Sequence, residues 1–330
     1  MRINLRKQLK GNPSDASLIN KMAIVELGLH KDYEAFRFLK KAAKVKPGVQ
    51  SLNNLAWFYL YNPEAGYDAN KAISLLQDAL ELNPKSEFPY CLLGEAYLKA
   101  NKPIEAKEIL EKAIVLKSDF VALNNLGVAF YKLGLIEEAS ERFFLAHKAQ
   151  KDKIESLLPY FNYGICQAEL FNKANANKVA EYLLQYEEAP KSDLYGPEIA
   201  QIYYVTENYQ EVNNLYSSPH YALSIGDYSF YLYSLIQVNK GIEAEALVNA
   251  YVHELDKLIV EAQNSNDDDW GGVSNRIYCI QAHLLEQKQI KELYNRIKKG
   301  YHPPLNYKPY IEEHCYLYGC IEHKHPEYIG

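Results

Sequence analysis

Cys315, Cys320 and His323, with His314 and His325 beside them, form the densest group of metal-ligand residue types in the chain, in the stretch EEHCYLYGCIEHKHPEYIG. Thiolate sulfur and imidazole nitrogen are common zinc donors, but structural zinc sites usually draw tighter pairs from two segments. Read as one helix, Cys315 and Cys320 point about 140° apart and do not converge on one ion. Cys320 and His323 share a helical face, which supplies only two ligands. The expectation is a closing helix over Tyr310–Cys320 with buried thiols and exposed histidines, and no metal or other cofactor. Elsewhere, His253-Glu254 comes nearest to HExxH but lacks the second histidine, and no GxxxxGK[ST], GxGxxG or GxSxG string occurs. No catalytic residue is assigned, and the chain reads as non-enzymatic. The segment NSNDDDWGG at 264–272 lacks the alternation and the closing glutamate of a calcium loop, so it predicts a turn with Trp270 buried.

Composition narrows the classes further. A formal net charge of -6 and a pI near 5.9 give no support for a nucleic-acid binder, which would carry a basic face. Charge is polarised: residues 1–50 hold 11 Lys or Arg against 4 Asp or Glu, and 154–250 hold 4 against 12. Such polarity can steer a partner of complementary charge. The run Arg37, Lys40, Lys41, Lys44, Lys46 reads as a solvated face near a helix C-terminus, which the helix dipole favours. Five cysteines without a CxxC pair are not a disulfide framework. No apolar run follows Arg2 and Arg6, and none approaches the ~20 residues of a membrane span. Together these readings predict a cytoplasmic protein that does not engage membranes.

The elements that would position any site emerge from internal repetition. SLNNLAWFYL (51–60), PYCLLGEAYL (89–98) and ALNNLGVAFY (122–131) superimpose, each with a small residue (Ala56, Gly94, Gly127), a preceding leucine and a following aromatic (Tyr59, Tyr97, Phe130). Downstream blocks repeat Ala72, Ala106 and Ala139, then Leu76, Leu110 and Phe143, then Ala79, Ala113 and Ala146. An earlier copy carries Ala23, Ala35, Leu39, Ala42 and Pro47. Spacings of four and three place these residues on one helical stripe. Small residues there let two helix axes approach.

This pattern resembles the tetratricopeptide repeat, closely over 87–153 and well over 16–86. The resemblance implies an all-α fold, a right-handed superhelix of antiparallel helix pairs. About four units would fill 1–153 behind an N-terminal capping helix. Divergent pairs would continue through 154–330, with 274–299 read as one pair. In this family the first helix of each pair lines the concave surface that holds a partner. The candidate protein-binding residues are Asn54, Asn125 and Asn162, two positions before the small residue, with Trp57, Tyr61, Glu95, Tyr131, Lys132, Gln201 and Tyr204. An asparagine offers both an acceptor and a donor, so a row of them suits the backbone of an extended peptide. The implied function is a protein-interaction scaffold without turnover, the alternative being a regulator, inhibitor or immunity-type protein dedicated to one target. An exposed terminal unit also offers a surface for self-association.

Overall fold

The structure, a computed structural model, describes residues 1–150, 154–186, 196–218 and 223–328. The described residues form 16 α-helices and no strand, so the fold is all-α. None of the helices is long and apolar enough to cross a membrane. Two compact units divide the chain: Met1–Cys166 with the segment from Pro309 onward, and Gln167–Lys308. The expected boundary at 153 falls at 151–153, outside the described residues.

The first unit is built from α1 (Arg2–Gly11), α2 (Ala16–Leu27), α3 (Asp32–Val45), α4 (Val49–Tyr61), α5 (Ala69–Glu81), α6 (Phe88–Lys99), α7 (Pro103–Leu116), α8 (Phe120–Lys132), α9 (Ile136–Ala149) and the start of α10 (Leu158–Glu169). α2 packs on α3, α4 on α5, α6 on α7 and α8 on α9. Aspartates set several starts: Asp15, Asp68 and Asp119 accept from the backbone N–H three residues on, at 2.9–3.0 Å. The stripe of small residues is fully buried. Its purpose is visible at Gly94 and Gly127. A Cβ on Gly94 would lie 2.5 Å from Leu110 side-chain atoms, and one on Gly127 2.7 Å from the Phe143 ring. The large residue of each second helix sits in the notch that the glycine leaves in the first. Gly94→Val should therefore force the α6–α7 pair apart and cost about 1–3 kcal/mol, read as a lower midpoint in urea.

Outside the α4–α5 pair, the turn within a pair repeats more faithfully than the sequence does. His30, Asn101, Gly134, Phe171, Glu207 and Asn239 all have positive φ, between 54° and 77°. One residue later, the N–H of Lys31, Lys102, Leu135, Asn172, Asn208 and Lys240 bonds back to a carbonyl five residues earlier, at 2.8–3.0 Å. This is the six-to-one bond of a Schellman helix stop. Its recurrence in the second unit shows the same pair geometry where the sequence pattern blurs.

The second unit contains α11 (Lys173–Leu184), α12 (Gly196–Val205), α13 (Tyr209–Tyr216), α14 (Ile225–Gln237), α15 (Gly241–Asn264) and α16 (Val273–Lys298). Leu232, Leu235, Ala244, Val248, Ile290, Tyr294 and Ile297 form a core there. Two expectations are corrected. Residues 274–299 are not a helix pair but part of the single 26-residue α16. The stretch LLEQKQIKEL contains no Gly or Pro and is rich in helix formers, so nothing stops the helix. Residues 310–316 are not a closing helix either: they carry no helical bonds. Pro303, Pro304 and Pro309 interrupt the approach, and the backbone groups of the segment find side-chain partners instead. Trp270, expected buried, is only half-buried on a short 3-10 turn.

Candidate functional site

The first helices of two pairs present asparagine doublets, Asn53-Asn54 on α4 and Asn124-Asn125 on α8, and α10 presents Asn162. All five are buried, none more than 1% exposed. Buried amides need partners, and they find them on the segment beginning at Pro309. Asn54 donates from Nδ2 to the Tyr318 carbonyl at 3.0 Å and accepts the Tyr318 N–H at Oδ1 at 2.9 Å. Asn125 does the same with Glu312, both bonds at 2.8 Å. Asn162 does it with Tyr310, at 3.1 Å each way. Each asparagine thus pairs one residue's backbone as a β-ladder neighbour would. Asn53 and Asn124 add single bonds to the carbonyls of Tyr316 (2.6 Å) and Tyr310 (2.9 Å).

The engaged residues are Tyr310, Glu312, Tyr316 and Tyr318, all of one parity. That is the period of an extended strand. The segment runs against the order of the helices, from α10 at Tyr310 back to α4 at Tyr318. Further on, the Tyr328 N–H reaches the Gln50 Oε1 at 3.1 Å, and Lys21 pairs with Glu327 at 3.0 Å.

Side chains of the segment also pack into the first unit. Tyr316 is 1% exposed, edge-on to Phe88 at 5.4 Å, with its hydroxyl beside the Cys91 thiol. Tyr318 packs on the same Phe88 ring at 5.0 Å. Leu317 and Cys320 pack on Ile24, with Trp57 along the edge. Ser156 donates to the Glu312 carboxylate, and Lys99 pairs with Glu313.

Glu95, where the asparagine row is interrupted at Leu92, is fully buried. Burial pushes its carboxyl well above the ordinary range; the Tyr61 hydroxyl, Lys99 and the His314 backbone amide pull the other way without prevailing, and Glu313 adds to the rise. The Tyr61 hydroxyl donates to it. A carboxyl whose proton is held more tightly in the fold than in the unfolded chain weakens the fold as pH rises from about 4.3 towards the folded value. Glu95→Gln keeps the shape and removes that titration. The stability of the Gln variant relative to wild type should grow with pH above about 4.3, measured by urea unfolding at several pH values.

Of the residues named from sequence, Asn54, Asn125, Asn162 and Glu95 meet on the segment, with Tyr61 and Trp57 adjoining. Tyr131 packs against the core of the first unit. Lys132 is exposed and reaches Asn101 at 3.1 Å. Gln201 and Tyr204 lie in the second unit, where the Tyr204 hydroxyl donates to the Pro303 carbonyl at 2.7 Å among the rings of Tyr209, Phe230, Tyr233 and His302. The roles of Asn53 and Asn124 are additional; the Asn-Asn doublets in LNNLAW and LNNLGV were their signal. The cysteine expectation is also corrected. Because 315–320 is not a helix, the Cys315, Cys320 and His323 ligand atoms come within 4.8 Å of one another.

Helix pairs, notched packing and a first-helix face that binds an extended backbone define a tetratricopeptide-type fold. No family model matches the chain. Over 104 residues it is 34% identical to the peroxisomal targeting signal receptor of Kluyveromyces lactis, a stretch covering 31% of this chain and 17% of that receptor. Among solved structures it is similar to Cut9 in the APC/C hetero-tetramer Cut9-Hcn1, at 20% identity and a TM-score of 0.50, covering 70% of this chain and 45% of that one. It is similar too to YrrB, described as a TPR protein with an unusual peptide-binding site, at 16% identity and a TM-score of 0.47, covering 63% and 97%. At these identities the structural likeness is one of fold.

Proposed function

We propose that the first unit is a non-enzymatic receptor for an extended segment of a partner protein, and that the chain's own 310–328 segment is the ligand it holds until a partner competes. The observation that carries this reading is the two-way pairing of Asn54, Asn125 and Asn162 with alternate backbone units. Backbone pairing accepts any extended sequence, and the side-chain pockets then select among them. The pocket that buries Tyr316 beside Cys91, and the Phe88 ring under Tyr318, favour ligands with aromatics two residues apart. That selectivity also supports the narrower reading of a regulator dedicated to one target. The receptor similar to this chain over 104 residues is named for a targeting signal, which accords with recognition of a short segment. The acidic balance favours a protein partner over nucleic acid, and the thiols of Cys91, Cys279, Cys315 and Cys320, outside any disulfide, fit a cytoplasmic setting.

A labelled peptide of residues 309–328, added to full-length chain carrying Tyr316→Ala, tests the reading. The weakened internal segment should yield to the added one, giving saturable anisotropy that Asn54→Ala and Asn125→Ala abolish. Absence of binding, or binding indifferent to the asparagines, would overturn it. A partner protein should then be displaced by the same peptide.

A further inference from the structure

Two thiols and an imidazole that make none of the asparagine bonds gather where the seated strand turns back. Gly319, in the left-handed region at φ 75°, lets the chain reverse. Its N–H bonds the Pro326 carbonyl at 2.9 Å, and the His325 N–H bonds the Cys320 carbonyl at 3.0 Å. This turn brings Cys320 and His323 back onto Cys315. Cys320 Sγ lies 3.3 Å from His323 Nδ1, and all three ligand atoms lie within 4.8 Å of one another. Tetrahedral zinc, at about 2.3 Å from sulfur and about 2.0 Å from nitrogen, separates its ligands by about 3.5–3.8 Å, so small side-chain adjustments suffice. The His314 and His325 rings stand 6.4 and 5.6 Å from His323.

We propose that Cys315, Cys320 and His323 are a binding site for a thiophilic cation of the Zn2+ class. Two sulfurs and one imidazole select a soft or borderline ion over Mg2+ or Ca2+. The fourth position falls to water or to a neighbouring histidine. Both thiols ligate as thiolates, so each Zn2+ taken up displaces two protons to solvent and no redox change occurs. The ion would join the seated strand at Cys315 to the return turn at Cys320 and His323, closing a loop around Tyr316 and Tyr318.

The test uses the full chain, purified with reductant and freed of metal. Titration with Co2+ should give one equivalent of a complex with thiolate-to-cobalt charge-transfer absorption and intense tetrahedral ligand-field bands, which Zn2+ then bleaches. Cys315→Ser and Cys320→Ser should each weaken the charge-transfer band and together abolish it, whereas Cys279→Ser should keep it. His323 is exposed, so His323→Ala leaves folding intact, and it should weaken Zn2+ at least about ten-fold in competition with a chelating dye. No charge-transfer band in the wild-type chain, a band that survives in the Cys315→Ser/Cys320→Ser double variant, or unchanged Zn2+ affinity in His323→Ala would each overturn the site. None of these readouts depends on whether the groove accepts a partner.

Discussion

Asn125→Ala should release the 310–318 strand from α8 far more often than any single surface substitution would. Asn125 makes two bonds with Glu312, both at 2.8 Å and buried. The alanine variant loses both bonds to the Glu312 backbone. Removing one partner of a buried hydrogen bond costs about 1–3 kcal/mol. Some water will enter the gap, so the strand is expected to lose about 2–4 kcal/mol, or about 30- to 700-fold in its opening equilibrium. Amide exchange at Glu312 reads that opening directly. Asn53→Ala, which removes a single bond to Tyr316, should cost about 1 kcal/mol. Equal exchange rates in Asn125→Ala and wild type would mean that the asparagine is a bystander.

Tyr316→Ala should have the larger effect on the stability of the first unit. The side chain is almost wholly buried, against Phe88 and the Cys91 thiol, and it anchors the strand in the core shared by α4, α6 and α8. Removing a buried aromatic costs about 3–5 kcal/mol. The loss should appear as a lower thermal midpoint for the first unit and as faster exchange along 310–318. Tyr310→Ala, whose side chain is 37% exposed beside Phe161, should cost well under half as much. If the two variants matched, the strand would be lying on the surface rather than completing the core.

The sequence carried the notched helix pairs because packing constrains them at fixed spacing. Gly94 facing Leu110 and Gly127 facing Phe143 admit few replacements, and the pattern Ala-Leu-Ala in the second helices follows from the same geometry. The second unit is fainter in sequence because the feature it shares with the first is a turn conformation. His30, Phe171 and Glu207 reach the same left-handed geometry with unrelated side chains, which no residue pattern reveals. The asparagine row was legible as a backbone reader because an amide at that position has few other uses. What occupied it was not. Helical spacing over Tyr310–Cys320 predicts a closing helix and sets the two thiols apart. Yet Tyr310, Glu312, Tyr316 and Tyr318 recur at multiples of two, and three prolines stand just upstream. An extended strand held by side chains rather than by a sheet leaves only that faint period in its sequence.

Residue-resolved amide exchange across 309–320 in the full chain tests most directly the claim that the asparagines read an extended backbone. The Tyr310, Glu312 and Tyr318 amides, which donate to Asn162, Asn125 and Asn54, should exchange orders of magnitude more slowly than those of Ile311 and Glu313. That alternation should vanish in an Asn54/Asn125/Asn162 triple alanine variant. Uniformly fast exchange in the wild type, or an alternation that persists in the triple variant, would contradict the account.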